Sequence, residues 1–482
     1  MINFRFIINI LGKLLVVESA GLALCIIVAL LYREHDATAF AWSALITLVC
    51  GLTMCKAIKV KDRILAKKDG YFIVTCTWIL FTLFGCLPFL LGGSIPSIPD
   101  AIFETMSGFT TTGSSILNNV EALPHASLFW RSLTQWLGGL GIIVLLIAIL
   151  PGLGIEGRDL YVAEVPGPTH DKLSATFKAS ARKMWLLYIS LTALLTLLLF
   201  LGDMSLFDSI CHAFAAMGSG GYSTKNASIA YWDSAYIQYV IIFFMFIAGT
   251  NFGLLHFAFH GKLKRLFQDQ EFRLYTIITL AATLIIGLSL YAQQGNELER
   301  CIRDALFQVV SLLTTTGFAT ADYLLWPPLV GIILFLLLFI GGCAGSTAGG
   351  LKCIRVCLIF KNTFNEMKRI LHPNAIINVK YNGKSVHPNV MNSVMGFFII
   401  FILVFGVSSI IMSLFTNDLA TACSAVITCL SNVGPGFGDI GPMDNFSEFN
   451  DFAKIFLAIL MMIGRLEIFT VMVLFTKAFW KK

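Results

Sequence analysis

Four short stretches of this chain carry the residues with an evident chemical use, and they share one spacing. The first runs Asp100-AIFETMSGFTTT-Gly113, the second Asp208-SICHAFAAMGSG-Gly221, and the third Asp304-ALFQVVSLLTTT-Gly317. In each, the Asp precedes the Gly by thirteen residues. A fourth, Thr421-ACSAVITCLSNV-Gly434, keeps the spacing with Thr at its head. Two copies also agree beyond the glycine, as Gly221-Tyr222-Ser223-Thr224 and Gly317-Phe318-Ala319-Thr320. The residues before each glycine bear no charge and offer backbone carbonyls. Glycine permits the dihedrals that turn successive carbonyls toward one axis, and a ring of carbonyls can replace the hydration shell of a cation such as K⁺. One Gly-Thr cluster alone would be read as helix packing through small residues. Four in register point to a cation filter. Its candidate residues are Thr111, Thr112 and Gly113, Gly220 and Gly221, Thr315, Thr316 and Gly317, with Asn432, Val433 and Gly434.

The elements that position such strands follow from composition. Of 482 residues, 57% are hydrophobic and only 13% charged. Soluble domains usually carry about 25% charged residues, so most of this surface must face lipid. That excludes a soluble enzyme, a nucleic-acid binder and a disordered scaffold. The net charge of +6 matters only through where the basic residues sit. Apolar segments long enough to cross a bilayer lie near 6–31, 38–58, 71–92, 127–150, 184–202, 235–259, 272–292, 328–360, 391–415 and 452–479. The first imitates a signal peptide after Arg5 but is long enough to span, and is read as a retained helix. Ten crossings put both termini on one side. The loop 56–69 carries six basic residues, and 152–183, 261–273 and 361–384 are also basic, so that side is cytoplasmic. The twelve cysteines form no CxxC pair or metal-spaced cluster and are read as small packing residues.

Between alternate spans on the outer side lie the four repeats, too apolar for aqueous loops and too short to cross. Asp or Thr at the head reads as a helix N-cap. About ten helical residues reach roughly 15 Å, half the membrane. The chain then returns as non-helical backbone, which survives at that depth only when buried in protein or lining water. The fold class is therefore an all-α integral membrane protein. Four helix–pore helix–helix units surround a pseudo-fourfold axis, after two N-terminal transmembrane helices. The expected divisions are 1–69 for the N-terminal pair and basic loop, then pore units 70–151, 152–261, 262–360 and 361–482.

Two further features lie inside spans. Gly341-Gly342-Cys343-Ala344-Gly345-Ser346-Thr347-Ala348-Gly349-Gly350-Leu351-Lys352 would sharply weaken a lipid-solvated helix. It reads either as overlapping GxxxG packing or, more economically, as a break lining a cavity beneath the filter. Arg465 lies fourteen residues past Asp451, about 21 Å down a helix, where a charge is costly and functional by default. Glu467 cannot pair with it along the helix, because i,i+2 side chains diverge. Glu104, His212 and Gln308 hold equivalent places in three short helices and are expected to hydrogen-bond behind the filter.

These motifs resemble the Trk/Ktr/HKT superfamily of potassium transporters, whose members carry four M1–P–M2 units in one chain. The two leading helices, the Gly341–Lys352 stretch and Gly464-Arg465-Leu466-Glu467-Ile468-Phe469-Thr470 resemble its bacterial Trk membrane subunit (TrkH/TrkG type). The resemblance covers essentially the whole chain. It implies that Gly113, Gly221, Gly317 and Gly434 are the filter glycines. It also implies that Gly345, Ser346, Thr347, Ala348, Gly349, Gly350 and Lys352 belong to an intramembrane loop that gates the pore, with Arg465 an electrostatic barrier below the filter. Function would be K⁺ uptake across the plasma membrane, the bacterial inner membrane, with no covalent cofactor. A homodimer and a cytoplasmic nucleotide-binding regulatory subunit are implied partners, besides membrane lipid. The second copy departs from a threonine-rich filter, and Pro435 follows the fourth glycine.

Rival readings fare worse. Gly436-Phe437-Gly438-Asp439 imitates the signature of intramembrane aspartyl proteases, but no apolar core supplies a second aspartate. Inverted repeats of secondary transporters alternate in orientation, whereas each unit here begins inside. The alternative within the family is a Na⁺-permeable protein or a symporter coupled to H⁺ or Na⁺. Glycine at the first filter position, Gly113, favours K⁺.

Overall fold

The computed structural model describes residues 3–56, 67–139, 141, 177–295, 297–375 and 377–481. Most of the basic 56–69 loop, the end of the 127–150 span and most of 152–183 lie outside the described residues. Helices α1 (Phe4–Tyr32) and α2 (Ala37–Lys56) form an N-terminal pair. Their backbones touch at two glycines: a Cβ on Gly12 would lie 2.7 Å from the Gly51 carbonyl oxygen. Small residues permit this approach, the main source of helix attraction where lipid is already apolar. Arg33, in the left-handed region, ends α1. The turn after it reaches the pore units, where Glu34 accepts a hydrogen bond from the backbone N–H of His125 at 2.9 Å.

The four units follow in order. The first comprises α3 (Lys67–Gly85), its bent continuation α4 (Leu87–Leu91), the pore helix α5 (Ile98–Phe109) and α6 (His125–Gly139). In the second are α7 (Phe177–Phe200), the pore helix α8 (Leu206–Gly218), α9 (Ala235–Ala248) and α10 (Phe252–Phe259). After the short α11 (Leu263–Gln268), the third has α12 (Gln270–Gln294), the pore helix α13 (Leu298–Leu313), α14 (Pro328–Leu337) and α15 (Cys353–Leu371). The fourth has α16 (Pro388–Met412), the pore helix α17 (Leu419–Ser431), α18 (Asp451–Arg465) and α19 (Phe469–Met472). A last turn, α20 (Lys477–Trp480), ends the chain.

Three of the closing spans are broken. The axis bends by 110° between α9 and α10 and by 106° after α18. In the third unit the span gives way to a loop between α14 and α15. Two-residue strands, β1 (Ile340–Gly341) and β2 (Leu351–Lys352), pair in parallel and pinch that loop at its base. Six described helices are each long and apolar enough to cross a membrane, and eight spans result when each bent pair counts as one. Both ends of the chain meet on the face opposite the pore-helix entries. There the Lys68 ammonium donates to the carbonyls of Ala478, Phe479 and Lys481 at 3.0–3.2 Å.

The reading of Asp100, Asp208, Asp304 and Thr421 as N-caps is corrected. Helices α5, α8 and α17 begin earlier, with Ser97, Ser205 and Asp418 at the cap. The repeat position is thus the third helical residue in those three copies, where negative charge still suits the helix dipole. Asp208 accepts from Thr224 Oγ1 at 2.6 Å, fastening the helix to its own returning strand. Asp100 instead meets the Lys454 ammonium at 2.6 Å. In the third copy α13 starts at Leu298, so Asp304 lies a full turn further in.

Candidate functional site

Each pore helix runs directly into its strand, so four helix C-termini converge on one level. The backbone there repeats one conformation four times. Thr111, Ser219, Thr315 and Asn432 have φ of 54–56° and the glycines two residues on have φ of 75–105°. L-residues adopt such positive φ at a cost of roughly 1–2 kcal/mol each, so four repetitions mark a built arrangement. The strands close on one another. A Cβ on Gly113 would lie 2.1 Å from the Gly220 carbonyl oxygen, one on Gly221 2.0 Å from that of Thr316, and one on Gly317 2.1 Å from that of Val433. Gly434 completes the circuit, 2.8 Å from the Thr112 oxygen. Every strand therefore abuts the next in chain order, and the fourth abuts the first. All eleven residues expected in the filter fall in this ring.

Above the ring lies a cavity of about 130 Å³ whose lining includes all four glycines, together with Ser114, Tyr222, Pro435 and Asp444. Behind it the side chains are buried. Thr110, Thr111, Thr112, Ser219, Thr314, Thr315, Thr316, Asn432 and Val433 are all fully buried. Of the three expected braces, Glu104 accepts from the Ile116 N–H at 3.0 Å and from Arg131 Nε at 2.8 Å. His212 Nε2 bonds Ser223 Oγ at 2.9 Å, and Gln308 donates to the Ala321 carbonyl at 3.1 Å. None is placed in the ring itself.

Beneath the ring sits the loop between β1 and β2. Thr347 Oγ1 bonds Ser219 Oγ at 2.6 Å, below strand two. The Gly349 N–H donates to Thr315 Oγ1 at 2.7 Å, below strand three. A Cβ on Gly349 would come within 2.4 Å of the Ser431 carbonyl oxygen, so the loop also touches the fourth unit. Gly345 and Gly350 turn the loop with φ of 71° and 66°. Its base is held by Asn251, which donates to the Ala344 carbonyl at 2.6 Å, and by Glu271, which accepts from the N–H groups of Ala344 and Ile354. Lys352 is buried and its ammonium bonds the Ala348 carbonyl.

Arg465 is the last residue of α18 and bridges this loop to the first unit. Its guanidinium donates to the Thr347 carbonyl at 2.7 Å and to the Gly138 and Gly139 carbonyls at 2.6 and 2.7 Å. Glu467 pairs elsewhere, with Arg355 of α15. Loop and arginine thus lie together under the ring, and the GxxxG packing of a continuous helix does not occur. Asn251, Glu271 and Arg131 were not singled out from the sequence. A charge within the 127–150 span was the signal available for Arg131, whereas Asn251 and Glu271 lie at helix breaks and ends, where polar residues are ordinary.

Comparison with known proteins adds a family. The sequence model of the TrkH family, described as cation transport protein, matches residues 39–482. The chain is 40% identical over 484 residues to the Trk system potassium uptake protein TrkH of Escherichia coli (strain K12), covering all of both chains. It is 34% identical to the Trk system potassium uptake protein TrkG of the same strain, over 99% of each. The crystal structure of the potassium transporter TrkH from Vibrio parahaemolyticus superposes with a TM-score of 0.90 at 36% identity, over the full length of both.

Proposed function

The chain belongs to the TrkH family of cation transport proteins, and from that premise we propose that it takes up K⁺ across the plasma membrane through the four-strand ring. The observation that carries this is the closed circuit of glycine against carbonyl, from Gly113 through Gly221, Gly317 and Gly434. A cation entering from the cavity above exchanges water for the carbonyls of these strands. The partial negative charge at four helix C-termini lowers the cost of that exchange. The three or four uncharged residues of each strand supply no fixed anion to trap the ion.

Below the ring the permeating ion meets the loop Gly345–Gly350, with Lys352 and Arg465. In this reading the loop is the gate, and the arrangement described is the closed one. Opening requires the Thr347–Ser219 and Gly349–Thr315 contacts to part and the Arg465 guanidinium to leave the axis. Both termini are cytoplasmic, and in bacteria the membrane is the inner one. A homodimer and a cytoplasmic nucleotide-binding subunit belong to the same reading, and relatives named as proteins of a Trk system fit a chain that works with further subunits. K⁺ or Rb⁺ flux into liposomes holding the purified chain, with and without H⁺ or Na⁺ gradients, tests the whole. Flux of K⁺ over Na⁺ without an H⁺ or Na⁺ gradient supports a gated channel; flux that needs such a gradient makes it a symporter; no K⁺ flux from either the parent chain or the gate variant Arg465→Ala overturns the reading.

A further inference from the structure

Strand two of the ring lacks the threonine pair that braces strands one and three, and another element bonds it there. In strands one and three, the hydroxyls of Thr110 and Thr112, and of Thr314 and Thr316, bond each other at 2.8 Å. The first of each pair also bonds back to its own helix, at Met106 O and Val310 O. Strand four has Asn432, whose amide donates to Thr112 Oγ1 at 3.0 Å and Met461 O at 2.9 Å. Strand two reads Gly218-Ser219-Gly220, with no side chain at the two places where the threonine pairs stand.

Gln135 of α6, from the preceding unit, fills that gap. Its Nε2 donates to the Gly220 carbonyl at 2.6 Å, and its Oε1 accepts from the Tyr222 N–H at 3.0 Å. A Cβ on Gly220 would lie 2.3 Å from Gln135 Cδ, so the amide occupies the space a threonine at 220 would need. Gly218 is fixed likewise, because its Cβ would fall 2.5 Å from the Gln135 backbone oxygen. One turn earlier, Arg131 stacks 4.1 Å over the Tyr222 ring and donates to the Ser223 carbonyl at 3.3 Å.

We propose that Gln135 is a specificity-determining positioning residue, standing in from the first unit for the threonine missing in strand two and holding the Gly220 carbonyl at the spacing that prefers K⁺ over Na⁺. This rests on the ring being the selectivity filter. A strand without its brace closes around a smaller ion at less cost, so discrimination falls before transport does.

The test is the K⁺/Na⁺ flux ratio of the purified full-length protein in liposomes. Gln135→Ala lowers the ratio at least tenfold. Gly220→Thr alone abolishes transport, because its side chain meets Gln135. The double variant recovers a ratio at least threefold above Gln135→Ala, since the threonine enters the vacated space. Gln135→Met keeps volume and loses both hydrogen bonds, and it too lowers the ratio. It serves where Gln135→Ala does not purify. An unchanged ratio in Gln135→Met, or a double variant no better than Gln135→Ala, overturns the proposal. Gly113→Ser is the control: a changed ratio there with none in the Gln135 variants sinks this inference alone, while no change in either sinks the filter assignment.

Discussion

At the scale of single residues, the four glycines are not equally tight. The first three leave 2.0–2.1 Å to a neighbouring carbonyl oxygen, and Gly434 leaves 2.8 Å. Gly113→Ser should therefore cut the K⁺/Na⁺ flux ratio more than tenfold, and Gly434→Ser several-fold less. Equal losses would mean that backbone strain, shared by both sites, outweighs the steric contact. Arg465 offers a second comparison. A unit charge 6 Å from the ion at an effective dielectric of 20 repels it by about 3 kcal/mol, on the order of a hundredfold in rate. Arg465→Ala should raise basal K⁺ flux by up to that factor while leaving selectivity nearly intact. Arg465→Lys keeps the charge, but a single ammonium cannot span Thr347 and both Gly138 and Gly139. Its flux should fall between the two. If the lysine protein is as leaky as the alanine one, the clasp on the loop matters and the charge does not.

Among the elements, the loop is held to the ring by few bonds. Thr347 Oγ1 meets both Ser219 Oγ and the Ala248 carbonyl. Each such bond is worth about 1 kcal/mol, so Thr347→Ala should raise basal flux on the order of tenfold. Flux equal to or below that of the parent protein would make the loop a scaffold. The repeat spacing was legible in the sequence because each pore helix must deliver its strand to the same depth. Its register was less so: Ser, Asp and Thr crowd the starts of α5, α8 and α17, and only hydrogen bonds separate Ser205 at the cap from Asp208 three residues on. The break at Gly341–Lys352 was visible as helix-hostile composition, but its anchors were not, since Asn251 and Glu271 sit far away in the chain. Gln135 was equally hidden, because only the fold brings it to a glycine 85 residues later.

For the molecule as a whole, sidedness is the property to test. His35, in the turn between α1 and α2, is exposed on the pore-helix face, whereas Asp36 beside it is buried. In a cysteine-free background, His35→Cys should react with an impermeant thiol reagent from outside, and Asp62→Cys only from inside. The reverse pattern would invert the topology and the direction of uptake with it. Joining four units in one chain also frees each from being a copy of the others. Strand two can surrender a threonine because a different unit supplies an amide. The loop beneath the ring already occupies the ground under strands two, three and four. A tetramer of identical third units would bring four such loops to one axis with space for a single occupant. Fusion of the units is thus what makes a one-part stopper geometrically possible, and it confines that part to one address in the gene.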